Sequence, residues 1–280
     1  MTGYLVRRIL KSASWSRRLA SFSLVLFATA ALGHRFGMMD TLPFLYVLAL
    51  VGALAVLALL LALFAFVRLW RHGDHGGANI VAGVVVASLV LTPYAVSAYH
   101  FVIYPQATDI ATDMDDPPQL MIAAGARTPQ MNPIGPFTPA QKQMLAGRYP
   151  LVTGRRYEMP FALTVQAAEK VLEGRGWRVV RPASAAIQPG EATIEAVART
   201  TFLALPVDVS LRFTDEGATT YVDMRSASRF GPHDLGDNAA RIAAFLEELD
   251  AAVAAMAGQV PAEPADGEGP GAAAEGTPTQ

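Results

Sequence analysis

The sequence predicts an α+β protein: a three-helix N-terminal membrane anchor followed by an antiparallel four-stranded meander with flanking helices. Three observations carry that prediction. Three long apolar runs, about Leu19–Gly33, Leu42–Val67 and Ile80–Ile103, fill the first third of the chain. A segment of about 100 residues beyond them alternates apolar and polar positions in four short runs, as half-buried strands do. Two stretches with helical apolar spacing bracket those runs.

A bilayer core about 30 Å thick needs about 20 helical residues to cross it, so the second and third runs span it comfortably. The first is shorter and requires Arg17, Arg18 and Arg35 to snorkel at its ends. Arg7, Arg8, Lys11, Arg17 and Arg18 precede the first run, and Arg68 and Arg71 follow the second. The opposite side holds Arg35 alone, and Tyr104–Ala126 has no basic residue. This bias places the N-terminus in the cytoplasm and everything after Ile103 outside it. Met1–Ala30, with Ala28-Thr29-Ala30 as a small-residue site, also reads as a cleavable signal peptide, which would still export the later part. Few polar groups lie deep in the runs. Ser88, Thr92, Tyr94, Ser97 and His100 cluster toward one end of the third, which favours anchoring over a transport path.

Residues 1–103 carry a net charge of +6 and residues 104–280 one of −8, which argues against a nucleic-acid partner. The chain has no cysteine, which rules out disulfides and thiol chemistry. Arginine-rich, alanine-rich composition suggests a bacterial source, and so an inner-membrane protein with a periplasmic domain. The predicted organisation is 1–103 membrane domain, 104–160 proline-rich extended arm, 161–257 α+β domain and 258–280 disordered tail. In the arm, Thr138 followed by Pro139 predicts one short capped helix.

Within the α+β part, Val165, Ala168, Val171 and Leu172 share one face of a helix that ends at Gly174 and Gly176. Trp177–Arg181 is a short strand. Glu191–Phe202 follows, with Ile194, Ala196, Ala198 and Phe202 facing one way. Val207–Thr214 and Ala218–Ala227 form a hairpin. Asp234 then caps a long helix with an apolar stripe of Ile242, Phe245, Leu246, Leu249 and Val253. A two-residue turn at Glu216-Gly217 pairs Val209 with Met224, Leu211 with Val222 and Phe213 with Thr220. On the other face it pairs Asp208 with Arg225, Ser210 with Asp223 and Arg212 with Tyr221. The polar face carrying Glu195, Arg199, Asp208, Arg212, Asp223 and Arg225 reads either as solvated charge pairs or as a docking surface.

The segment Val222–Ile242 concentrates polar chemistry where a strand turns into a helix. Asp208, Arg212, Asp223, Arg225, Ser226, Ser228, Arg229, Asp237, Asn238 and Arg241 are the candidate binding residues, suited to a polar ligand or a periplasmic protein. A serine hydrolase using His233 lacks a nucleophile elbow, and Ser, Asp and Asn at such a corner commonly serve turns and caps. His233 is the one histidine well inside the exterior part, so metal sites lack ligands. The acidic run Asp109, Asp113, Asp115, Asp116 lacks calcium-loop spacing. No cofactor motif is present. Binding, enzymatic action on an envelope substrate and lipid handling stay open. An apolar cavity between Phe202, Phe213 and Phe245 would favour lipid.

Asp109–Leu120 (DIATDMDDPPQL) and Val222–Ile242 (VDMRSASRFGPHDLGDNAARI) resemble the domain of unknown function numbered 1499, found in bacteria and plastids. Arg156-Tyr157, Pro160, Gly176-Trp177, Glu195-Ala196 and Val207–Arg212 fall in that family's order. The resemblance covers about Tyr104–Met256, and some members similarly carry three N-terminal spans. It implies this architecture and no assigned activity. Where members commonly show two consecutive acids, this chain has Val207-Asp208, so Asp208 alone is carried over.

Overall fold

The computed structural model describes residues 10–72, 75–185 and 190–258. Arg7, Arg8 and the predicted tail after Gly258 lie outside the described residues. Three helices come first: α1 Lys11–Arg35, α2 Thr41–His72 and α3 Gly77–Ile103. α2 and α3 are long and apolar enough to cross a membrane, whereas α1, although 25 residues long, is less apolar and is not among them. They pack up-down-up. Arg17 donates to the Asn79 side chain at one end of the bundle (3.2 Å), and Ser16 donates to the Ala58 carbonyl (2.8 Å). Contacts between helices are made mostly by small residues, Ala13, Ser16, Ala20 and Ala30 of α1, Ala55, Ala58, Ala62 and Ala65 of α2, Gly83 and Ala87 of α3, joined by Phe44, Leu48, Val51, Ile80 and Val90. Large apolar side chains, Phe22, Val25, Leu57, Leu60, Phe64, Val85 and Leu89 among them, point outward.

The rest is an antiparallel sheet with its longer helices on one face. The elements are β1 Asp109–Ala111, α4 Met121–Ala126, α5 Pro139–Arg148, β2 Arg155–Tyr157, α6 Phe161–Gly174, β3 Arg178–Arg181, β4 Glu191–Arg199, β5 Pro206–Asp215, β6 Thr220–Ser228 and α7 Asp237–Ala257. β3 to β6 are the predicted meander, and α6 and α7 bury Ala168, Leu172, Ile242, Phe245, Leu246 and Leu249 against it. Thr138 and Gln141 form a reciprocal capping box at α5, as Thr138-Pro139 predicts. Asp234 accepts from the Asn238 N–H in the first turn of α7, although Gly236 occupies the cap position itself.

Five expectations are corrected. The proline-rich segment is more than an extended arm with one helix, because it adds two strands and α4. β1 and β2 both pair with β6, at its two ends, and complete the sheet edge. The hairpin register is shifted by two residues: Leu211 opposes Met224, Phe213 opposes Val222 and Arg212 opposes Asp223. The connection is four residues, Glu216–Thr219, closed by the Glu216 N–H on the Thr219 carbonyl and the Gly217 N–H on Asp215. A shift of two keeps every side chain on its face, so alternation alone could not detect it. β4 stops at Arg199, and Phe202 is 90% exposed while Phe213 and Phe245 are fully buried, so no cavity joins the three. The charged face is not solvated: Glu195, Asp208, Asp223 and Arg225 are all at most 3% exposed. Finally, Asp208 does not pair with Arg225, as the geometry of that face shows.

Candidate functional site

Alternation along β6 divides the candidate residues between the two faces of the sheet. Asp223 and Arg225 lie on the face opposite the helices, together with Asp208 and Arg212 of β5. Ser226 and Ser228 lie toward α7. There Ser226 Oγ donates to Asn238 Oδ1 (2.8 Å), and Asn238 Nδ2 donates to Ser228 Oγ (3.1 Å). Arg241 donates to Ser226, Asn238 and Asp237. The ten candidates therefore do not form one surface.

The segment from Thr112 to Phe137 crosses the charged face and engages it. Arg225 makes a two-pronged pair with Asp109 (3.1 and 2.7 Å) and donates to the Gly135 carbonyl (2.8 Å), with the Phe137 ring against its guanidinium. Burial pushes the Asp109 carboxyl above its ordinary value, and the Arg225 guanidinium only partly offsets this. Asp208 holds Arg229 (2.6 Å) and Arg127 (2.8 Å), and burial lowers the Arg127 pKa. Arg212 reaches Asp223, Asp113 and Asp116. Burial would lower the Arg212 pKa, but Asp223 and Asp116 outweigh it and raise the value. Burial likewise raises Asp113, yet the N–H groups of Asp116 and Asp115 and the Arg212 guanidinium bring it below the usual range. Glu195 accepts from the N–H groups of Met121, Ile122 and Ala123 at 3.0–3.2 Å, closing the start of α4. The docking partner of this face is the chain's own segment.

The pairing of His233 with a serine is not formed among the described residues. His233 Nδ1 accepts from the Leu235 N–H (2.8 Å), and Nε2 faces the Tyr104 carbonyl (3.2 Å). Neither nitrogen bonds a serine. His233 also lies against Phe101 of α3, and Gly236 (φ +83°) permits close approach of the Tyr104 ring, so this corner joins the sheet unit to the bundle. Tyr149 lies half-buried nearby, the pKa of its enclosed hydroxyl pushed up to about 12 by burial and by Asp234 and Tyr104. No group of His, Asp or Glu that could hold a metal occurs among the described residues.

An open, polar cavity of about 470 Å³ lies where the α1–α2 connection meets β3, β4 and the turn after α6. Its charged lining is Arg175, Arg178, Arg199 and Arg229, with His34 and a single acid, Asp40. Arg229 is the one earlier candidate found there. Arg175 is shared with Glu248 and rests on Trp177, and Arg229 is held by Asp208. Arg199 donates only to the Ala204 carbonyl (3.3 Å). Arg178 and Arg199 have no carboxylate within ion-pair distance among the described residues. His34 bonds the Leu203 carbonyl (2.9 Å) and Thr41 (3.1 Å) and stacks on Phe44. Leu203 and Leu205 pack on Ala30, Phe44 and Leu48, fastening the sheet unit to the bundle. Sequence reasoning missed this cavity because its arginines are scattered over fifty-odd positions. The visible signal was Arg178 and Arg199 on strand positions without an acid opposite.

A family model described as Protein of unknown function (DUF1499) matches residues 109–249. No curated protein and no solved structure matches the chain.

Proposed function

This chain belongs to the family described as Protein of unknown function (DUF1499), and we propose that this member is a bacterial inner-membrane protein holding a periplasmic binding module against the outer leaflet. All three helices cross the bilayer in this reading, with the N-terminus in the cytoplasm. The observation that carries it is the inside-out packing of the bundle. Small residues fill most of the helix contacts, and most large apolar ones face outward, Phe22, Val25 and Leu32 on α1 as well as those of α2 and α3. Water would penalise that arrangement, whereas lipid makes it favourable.

Charge supports the orientation. Arg17, Arg68 and Arg71 lie at the bundle end away from the sheet unit, and the sheet unit meets the other end through Leu203, Leu205 and His233. The residues of the charged face serve to clamp the covering segment, and the binding role passes to the cavity beside the bundle. A periplasm-dependent phosphatase fused after Gly258 is expected to be active, and the same enzyme fused after Arg71 inactive. The opposite pattern refutes the reading.

A further inference from the structure

We propose that the cavity between the α1–α2 connection and the sheet is a binding site for a phosphate-class anion, with the headgroup of an anionic phospholipid as its occupant. The phosphate chemistry follows from the lining alone. The identification with a lipid headgroup rests on the membrane reading above.

Four arginines and one aspartate are among the residues that line about 470 Å³. Clustered like charge inside a concave surface costs energy unless a counter-charge is present, and it concentrates anions from solution. The cations differ in availability. Arg229 is fixed by a two-pronged bond to buried Asp208, and so supplies a rigid wall of positive charge. Arg175 is held by Glu248, whose side chain is half exposed. Arg178 and Arg199 have no acid partner among the described residues, and Arg199, bonded to the Ala204 carbonyl through Nη1, keeps further N–H donors of the kind that suits phosphate oxygens. Trp177 sits on Arg175 and stacks on Phe245, giving the floor an amphipathic edge.

Depth points to the lipid. Phe36, Met38 and Phe202 are 72%, 77% and 90% exposed, and lie on the two segments that bound the cavity. Exposed apolar side chains on both sides of a basic cavity, at the end of an apolar bundle, match the boundary between headgroups and acyl chains. A headgroup entering there places its phosphate among Arg178, Arg199 and Arg229 and leaves its acyl chains beside Phe202. Basic pockets beside membrane helices bind anionic headgroups by this division of labour.

The test uses the full chain in an uncharged detergent, with thermal stability followed against added short-chain phosphatidylglycerol, short-chain phosphatidylcholine or inorganic phosphate. Phosphatidylglycerol is expected to stabilise, phosphatidylcholine not to, and inorganic phosphate to act only at much higher concentration. The Arg178→Ala/Arg199→Ala double variant is expected to need at least about tenfold more phosphatidylglycerol for the same shift, from the loss of two charge-assisted contacts. A Lys142→Ala/Lys170→Ala variant, equal in charge and remote from the cavity, is expected to respond like the parent. Inorganic phosphate as effective as phosphatidylglycerol would keep the anion site and overturn the lipid assignment. Absence of any anion response in the parent, or an unchanged response in the Arg178/Arg199 variant, overturns the site. Binding in detergent does not depend on which way the chain crosses the membrane, so this outcome and that of the fusion experiment are separable.

Discussion

Arg225→Ala removes a guanidinium that is 2% exposed and makes two bonds to Asp109, at 3.1 and 2.7 Å, and one to the Gly135 carbonyl at 2.8 Å. Breaking a buried pair by deleting one partner costs about 3–5 kcal/mol, because the other charge is left uncompensated. For a chain of this size that corresponds to a fall in Tm of about 6–20 °C. The loss has a pH signature. The Asp109 pKa is already raised above 3.8 by burial, with Arg225 the main opposing influence. A raised folded-state pKa means that relative stability is full below the unfolded value and is lost as pH rises through the folded one. Without Arg225 the folded value climbs further, so the deficit of the variant should be greatest near neutral pH and shrink on acidification toward pH 3.8. Thermal unfolding of the full chain in detergent, run over that range, reads both effects. A double-mutant cycle of Arg225→Ala with Asp109→Asn should give a coupling near the upper end of about 0.5–3 kcal/mol. A larger coupling of Arg225 with Asp208 than with Asp109, or a deficit that grows on acidification, would refute the reasoning.

Other outcomes follow from the same geometry. Glu195→Ala should strip the acceptors from the Met121, Ile122 and Ala123 N–H groups, costing about 1–3 kcal/mol, and hydrogen exchange should accelerate across α4; unchanged protection there would contradict the closure of that helix by Glu195. Gly236→Ala would set a Cβ 2.7 Å from the Tyr104 ring at φ +83°, and a loss of about 2–5 kcal/mol from strain and overpacking is expected; a melt like the parent's would contradict it. The chain has no native cysteine, so register can be read by oxidation. Thr214→Cys/Tyr221→Cys should form a disulfide readily and Thr214→Cys/Thr219→Cys should not; the reverse would restore the two-residue turn.

Legibility in the sequence tracked how local each determinant is. The capping box at Thr138 and the apolar stripe of α7 are written within a few residues of themselves, and both form. The meander's faces were legible because alternation has period two, and for that same reason the register was ambiguous by two. The clamp on the charged face was not legible. Asp109 meets Arg225 across 116 positions, and Glu195 meets Ile122 across 73. Nothing in the irregular, proline-rich segment signals where it folds back, since β1 and β2 are three residues each and borrow their hydrogen bonds from β6. Alternation along the predicted strand Ala218–Ala227 already separates Arg225 from Ser226, but treating the whole corner as one site overrides it. The cavity arginines share no motif and are gathered at one corner by the pairing of β3, β4 and β5, with the α1–α2 connection supplying the opposite wall.

In the proposed topology α1, α2 and α3 all cross the membrane and leave the sheet unit outside. Single-cysteine variants at Arg35, Arg71 and Gln130, labelled in intact spheroplasts with a membrane-impermeant maleimide, test it most directly. The account predicts labelling at Arg35→Cys and Gln130→Cys and protection of Arg71→Cys until the membrane is opened. Labelling of Arg71→Cys alone would contradict the orientation, and protection of Arg35→Cys beside a labelled Gln130→Cys would contradict the crossing of α1.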